Sequence, residues 1–119
     1  MCVLVVEDEL LIRMSTALTL EELGLAVMCA ADGHDAIELI DQHAGHFSAL
    51  VTDLNMPGEV DGRQVVEHMR RHYPTIPIYM ASAQTAAVAE PWRLRLRVTL
   101  VDKPYDADQL ATLVSRALS

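Results

Sequence analysis

Aromatic side chains are scarce in this chain: one Phe, one Trp and three Tyr make up 4% of 119 residues. Its interior must therefore be mainly aliphatic. Basic charge is scarce as well, with 9 Lys and Arg against 17 Asp and Glu and a formal net charge of −8. Such a field repels a phosphate backbone, so direct nucleic-acid binding is not expected without a local basic patch. Cysteine is limited to Cys2 and Cys29. Both stand in apolar runs and read as buried free thiols, not as a disulfide or a metal pair. No apolar stretch reaches the roughly 18 residues of a membrane span, and no basic-then-apolar leader opens the chain. A soluble, cytoplasmic protein without a membrane partner is expected.

What is present suits a folded domain. Hydrophobic residues make up 51% and charged residues 22%, a balance that excludes a disordered chain. A chain of this length can bury roughly two thirds of its unfolded surface without staples. Residues 1–119 are expected to form one domain with no linker and no output domain.

Strand-like and helix-like patterns alternate along the chain. Cys2 to Val6 is a Val-rich apolar run, followed by Leu11, Met14 and Leu18 at helical spacing, with Gly24 as the cap. A second strand covers Ala26 to Ala30, and Ile37 and Ile40 mark a helix opening near Asp32-Gly33. Ala49 to Thr52 is the third strand. Asn55-Met56-Pro57-Gly58 and Asp61-Gly62 then supply turn chemistry before a helix carrying Val65, Val66 and Met69. Ile78 to Ala81 and Thr99 to Val101 are the fourth and fifth strands, and Leu110, Leu113, Val114 and Ala117 mark one face of a last helix. Nearly continuous apolar strands separated by helices predict a parallel sheet covered on both sides. With right-handed crossovers, the fold class is a doubly wound α/β sandwich, (βα)5, with strand order 2-1-3-4-5.

That order gathers charge at one edge. Glu7-Asp8 closes the first strand, Asp53 the third, and Lys103 follows the fifth. Open α/β sheets place their ligands at this carboxyl edge. Three adjacent carboxylates repel one another unless a cation joins them, and an all-oxygen set favours a hard divalent ion such as Mg²⁺ over zinc. A single strand-end acid is as often merely solvated. The four groups together argue for a site.

The same residues carry a resemblance. Val5-Val6-Glu7-Asp8-Glu9, Val51-Thr52-Asp53-Leu54-Asn55-Met56-Pro57-Gly58 with Asp61-Gly62, Met80-Ala81-Ser82-Ala83 and Asp102-Lys103-Pro104 occur in this order. Over essentially its full length the chain resembles the flavodoxin-like receiver domain of two-component response regulators, chemotaxis regulators among them. The resemblance implies that Asp53 accepts a phosphoryl group from the phosphohistidine of a sensor histidine kinase or a histidine phosphotransfer protein. It implies Mg²⁺, for which Mn²⁺ could substitute, held by Asp8, Asp53 and the Asn55 backbone carbonyl, with Glu7 acting through water. Lys103 and Ser82 would read the phosphate, Pro104 would follow a cis peptide that directs Lys103, and Asn55 and Gln84 would tune dephosphorylation. The domain would catalyse only its own phosphorylation and dephosphorylation, and would signal by contact with a downstream protein or a phosphorylation-dependent homodimer. It would stand alone or belong to a longer regulator or hybrid kinase. A haloacid-dehalogenase-type enzyme would need a second aspartate where Asn55 stands, and a phosphorylation-independent binding module would not need Glu7, Asp8, Asp53, Ser82 and Lys103.

Other positions depart from the family or lie outside it. Receivers usually carry an aromatic switch three residues before the lysine, where this chain has Leu100; Tyr79 and Tyr105 are in the wrong register to replace it. Pro91 is expected to interrupt the fourth helix and leave it short or irregular. Trp92 beside Arg93, Arg95 and Arg97 reads first as a solvated face with the indole on arginine stems, and second as a partner patch. His68 and His72 could chelate a metal from one helix face, but no third ligand is evident. His34, His43 and His46 show no ligand pattern.

Overall fold

The computed structural model describes all residues, Met1–Ser119. Its elements are β1 (Cys2–Val6), α1 (Leu10–Glu22), β2 (Ala26–Ala30), α2 (Gly33–Gln42), β3 (Phe47–Asp53), α3 (Gly62–His72), β4 (Ile78–Ser82), α4 (Glu90–Leu96), β5 (Val98–Asp102) and α5 (Ala107–Ala117). A 3-10 turn over Thr85–Ala87 precedes α4. All strand pairs are parallel and the order is β2-β1-β3-β4-β5, as the alternation predicted.

Successive strand residues point to opposite faces, so the sheet builds two cores. Leu4, Val6, Leu50, Ile78, Met80 and Val98 meet Ala36, Ile40, Val65, Val66 and Met69 of α2 and α3 on one side. On the other, Val3, Val5, Ala49, Val51 and Tyr79 meet Leu20 of α1 and Leu110, Ala111 and Val114 of α5. No helix is long and apolar enough to cross a membrane.

Local chemistry sets the helix ends. The Asp32 side chain accepts from the Asp35 N–H, and Asp61 forms a capping box with Gln64 at the start of α3. Past the end of α1, Gly24 adopts φ of +85°, the left-handed conformation expected of its cap. Gly62 is required by space: a Cβ there would lie 2.0 Å from the Asp53 carbonyl oxygen. The start of α3 is thus pressed against the backbone that carries Asp53.

Five expectations are corrected. Leu11, Met14 and Leu18 are 80%, 58% and 58% exposed, whereas Thr16 and Leu20 are buried. The helix is apolar on two stripes, and packing against α5 selects the one through Thr16, whose hydroxyl lies 2.8 Å from that of Tyr105. In α5 the buried residue beside Leu110 and Val114 is Ala111, while Leu113 and Ala117 face out. Cys29 is exposed because β2 is an edge strand, and Cys2, the first residue of β1, is only half-buried. Pro91 opens α4 instead of interrupting it, since its missing N–H would be unbonded in a first turn anyway. The helix is short, as expected. Trp92 packs against the α2–α3 side core and donates to Glu67 at 3.3 Å, so it rests on α3 and not on arginine stems.

Candidate functional site

Strand register assembles the carboxyl edge. Val6 of β1 lies beside Thr52 of β3, Asp53 beside Ala81 of β4, and Ser82 beside Asp102 of β5. The next residue out on each strand therefore enters one cluster: Glu7 and Asp8, Asp53, Ser82 and Lys103. Carboxylate oxygens of Glu7, Asp8 and Asp53 lie within 4.8 Å of one another. Glu7 and Asp53 are buried and Asp8 is exposed.

Lys103 bridges the two buried acids, with Nζ 2.7 Å from Asp53 Oδ1 and 3.3 Å from Glu7 Oε1. The other Glu7 oxygen accepts from the Glu9 N–H at 3.2 Å. Asp53 Oδ2 is buried and has no hydrogen-bond partner. One ammonium against three carboxylates leaves the cluster short of positive charge.

Burial and the contacts within the cluster shift the titration of Asp53, Glu7 and Lys103. Burial, and then the Glu7 carboxyl, push Asp53 up to about 8 against the pull of Lys103. Burial also acts upward on Glu7, but its contacts with Asp53, the Glu9 N–H and Asp8, and the charge of Lys103, hold it below the usual carboxylate value. For Lys103, burial opposes the charge, yet Asp53 and Glu7 outweigh it and raise the ammonium further. A desolvated carboxylate with one unbonded oxygen suits a hard cation and an oxygen-rich donor set. The residues present therefore fit Mg²⁺.

Ser82 is buried, and its Oγ accepts from the Gln84 N–H at 2.9 Å, leaving its own proton free to be donated. The Ser82 carbonyl accepts from the Lys103 N–H at 2.9 Å, which holds the two side chains in register. The Lys103–Pro104 peptide is cis, as the resemblance implied. Asn55 and Gln84 are exposed at the rim. Leu100 is partly buried against the α2–α3 side core, so the switch position holds an aliphatic packing residue.

A profile of the response regulator receiver domain matches residues 3–115. The chain belongs to that family. Among curated relatives of this receiver are the sensor kinase CckA of Brucella abortus (strain 2308), 32% identical over 98% of this chain and 12% of that protein, and the regulatory protein AtoC of Escherichia coli (strain K12), 33% identical over 98% of this chain and 25% of that protein. The receiver thus spans a quarter or less of these two relatives. Among solved structures, the receiver domain from the hybrid histidine kinase CckA superposes with a TM-score of 0.81 at 31% identity over 100% of both chains. The chemotaxis protein CheY4 of Vibrio cholerae gives a TM-score of 0.81 at 28% identity, over 97% of this chain and 96% of its own. Receiver domains are signalling domains of two-component systems and generally bind Mg²⁺ at an acidic pocket.

Sequence reasoning missed three polar contributors. Arg70 is buried and donates to the carbonyls of Leu96, Tyr73, Ile76 and Arg97 at 2.9, 3.1, 2.8 and 3.3 Å. The Tyr73 hydroxyl accepts from the backbone N–H groups of Gly45, His46 and Phe47. Asp41 lies 2.7 Å from His68 Nε2 and supplies the third partner that the spacing of His68 and His72 did not reveal.

Proposed function

We propose that Asp53 accepts a phosphoryl group from the phosphohistidine of a sensor histidine kinase or a histidine phosphotransfer protein. The observation that carries this reading is the state of the Asp53 carboxylate: buried, held at one oxygen by Lys103, with the other oxygen unbonded. A carboxylate oxygen attacks phosphorus, the P–N bond to the donor histidine breaks, and the departing imidazole takes up a proton. Asp8, Asp53 and the Asn55 carbonyl would hold Mg²⁺ directly and Glu7 through water. When bound, the ion offsets negative charge on nucleophile and phosphoryl group.

Lys103 then exchanges its contact with Asp53 for a phosphoryl oxygen, and Ser82 donates its free hydroxyl proton to another. Asn55 and Gln84, at the rim, set access of water to the acyl phosphate. The exposed stripe Leu11, Met14 and Leu18 on α1 begins beside the site and offers the donor protein an apolar surface. Output passes to a downstream protein, or to a second receiver in a phosphorylation-dependent homodimer, in the cytoplasm. The domain turns over no substrate besides its own phosphoryl group. The presence of Glu7, Asp8, Asp53, Ser82 and Lys103 in one cluster favours this reading over a phosphorylation-independent binding module.

Acetyl phosphate or phosphoramidate with Mg²⁺ should add one phosphoryl group to the wild type and none to Asp53→Ala, read by intact-mass spectrometry. Measurable Mg²⁺ binding with no adduct would remove the phosphoacceptor role. Substitution of Gln84 should change the decay rate of the adduct. A constant rate across several side chains at that position would dismiss it as a tuning residue.

A further inference from the structure

His68 and His72 stand one turn apart on α3, and Asp41 lies near the C-terminal end of α2. One ligand atom from each falls within 4.8 Å of the other two. We propose that Asp41, His68 and His72 form a Zn²⁺ site, separate from the acidic edge, that ties α2 to α3.

The hydrogen bonds of the two rings support it. His72 Nδ1 lies 3.0 Å from the His68 carbonyl oxygen. A carbonyl can only accept, so Nδ1 carries the proton and Nε2 of the neutral ring is left with its lone pair. Metal-bound histidines are commonly fixed in this way, with the non-ligating nitrogen donating to a backbone carbonyl. The rings of His68 and His72 are 4.8 Å apart between centroids, so the two imidazoles stand side by side on one face of α3. The His68–Asp41 contact accounts for those two side chains without a metal, but it leaves His72 Nε2 unused.

Geometry and ligand type point to zinc. Bonds of about 2.0–2.2 Å at tetrahedral angles separate ligand atoms by roughly 3.3–3.6 Å. The 2.7 Å contact between His68 and Asp41 must open by somewhat less than an ångström while His72 closes in. Asp41 is 54% exposed at its side chain and His68 19% exposed, so Asp41 is free to adjust while His68 is held. When Nε2 of His68 turns to the metal, its proton moves to Nδ1 or leaves to solvent. Two imidazoles and one carboxylate suit Zn²⁺ and not Mg²⁺, and the open outer side leaves a fourth position for water. Because the helices run back against the strands, the C-terminal halves of α2 and α3 lie toward the edge of the sheet opposite Asp53. The two metals therefore do not compete for ligands.

The test uses the untagged full chain in excess Mg²⁺, titrated with Zn²⁺ against a chromophoric competitor and with Co²⁺ by visible absorption. One equivalent should bind, with the intense absorption of tetrahedral Co²⁺ and an upward shift in melting temperature. His72→Ala and the double variant His68→Ala/His72→Ala should weaken Zn²⁺ at least tenfold and lose the band, and Asp41→Asn should weaken it. His72 and Asp41 are exposed, so those variants keep the fold, which melting in chelator verifies. Cys29→Ser should retain the site. Equal affinity in the double variant, no saturable equivalent in the wild type, or loss of the band in Cys29→Ser would each overturn the proposal.

Discussion

Asp53 and Glu7 share one ammonium, and burial of Asp53 together with the contact between the two carboxyls pushes their titrations apart. Asp53, raised to about 8, holds its proton in the folded state where the unfolded carboxyl would lose it near 3.9. The native state therefore binds more protons between those values, and the Asp53 contribution to stability is complete below about pH 4 and lost as pH rises through about 8. Glu7 has the opposite sign: its depressed value contributes above the unfolded pKa near 4.3 and is lost below it. In chelator, stability should fall between about pH 5 and 8 with a slope of up to about 1.4 kcal/mol per pH unit. Asp53→Asn should flatten that slope, and Mg²⁺ should offset it by binding the ionised form. Urea denaturation across this range checks the prediction, and a slope that Asp53→Asn leaves unchanged contradicts it. The residues of this cluster were legible in the sequence because each terminates a strand, where one-dimensional position and three-dimensional edge coincide. The bond from the Gln84 N–H to Ser82 was not, because it depends on the turn that follows β4.

At the scale of elements, Arg70 is the main tie between α3 and the end of α4. Its guanidinium donates to four carbonyls, two from the α4 end at Leu96 and Arg97 and two from the loop at Tyr73 and Ile76. The buried cation has no carboxylate partner, and burial lowers its pKa, with Arg97 nearby adding to the effect. Arg70→Met should fill much of the same volume but strand those carbonyls, costing about 2–4 kcal/mol. Chemical denaturation measures the loss, and a change below about 1 kcal/mol would show that the carbonyls find water instead. Strand order and the α3 core face were readable from apolar period, but Arg70 was not. A buried arginine that satisfies backbone carbonyls has the same sequence appearance as a surface one. The face of α1 was misread for a related reason: its leucines supply two stripes, and only the partner helix decides between them. Pro91 was misread in the other direction, as a break where it is a start.

At the scale of the molecule, the question is how a buried site reaches a partner. Leu100 offers no aromatic ring to turn, so on the proposed reading the signal must travel through backbone at the β4–α4 side. There, Thr85 Oγ1 donates to Asp102 Oδ1 at 2.8 Å and joins the 3-10 turn to the end of β5. On the same proposed reading, α1 carries the donor side. α1 begins immediately after the acidic pair and presents Leu11, Met14 and Leu18 to solvent, three large apolar groups on a molecule of net charge −8. Burial of such a stripe against a helical donor would stabilise the encounter by roughly 25 cal/mol for each Å² of apolar surface removed from water. It would also place the donor imidazole at the edge where Asp53 lies. Glutamate at Met14 or Leu18 adds charge without touching either core, so folding and labelling by acetyl phosphate should be unchanged. Transfer from a phosphorylated histidine kinase or phosphotransfer protein should slow at least tenfold, mainly through weaker binding. Single-turnover transfer at a series of donor concentrations separates affinity from chemistry. Equal transfer by Met14→Glu, Leu18→Glu and wild type would move the docking surface away from α1, while leaving Asp53 and its edge intact.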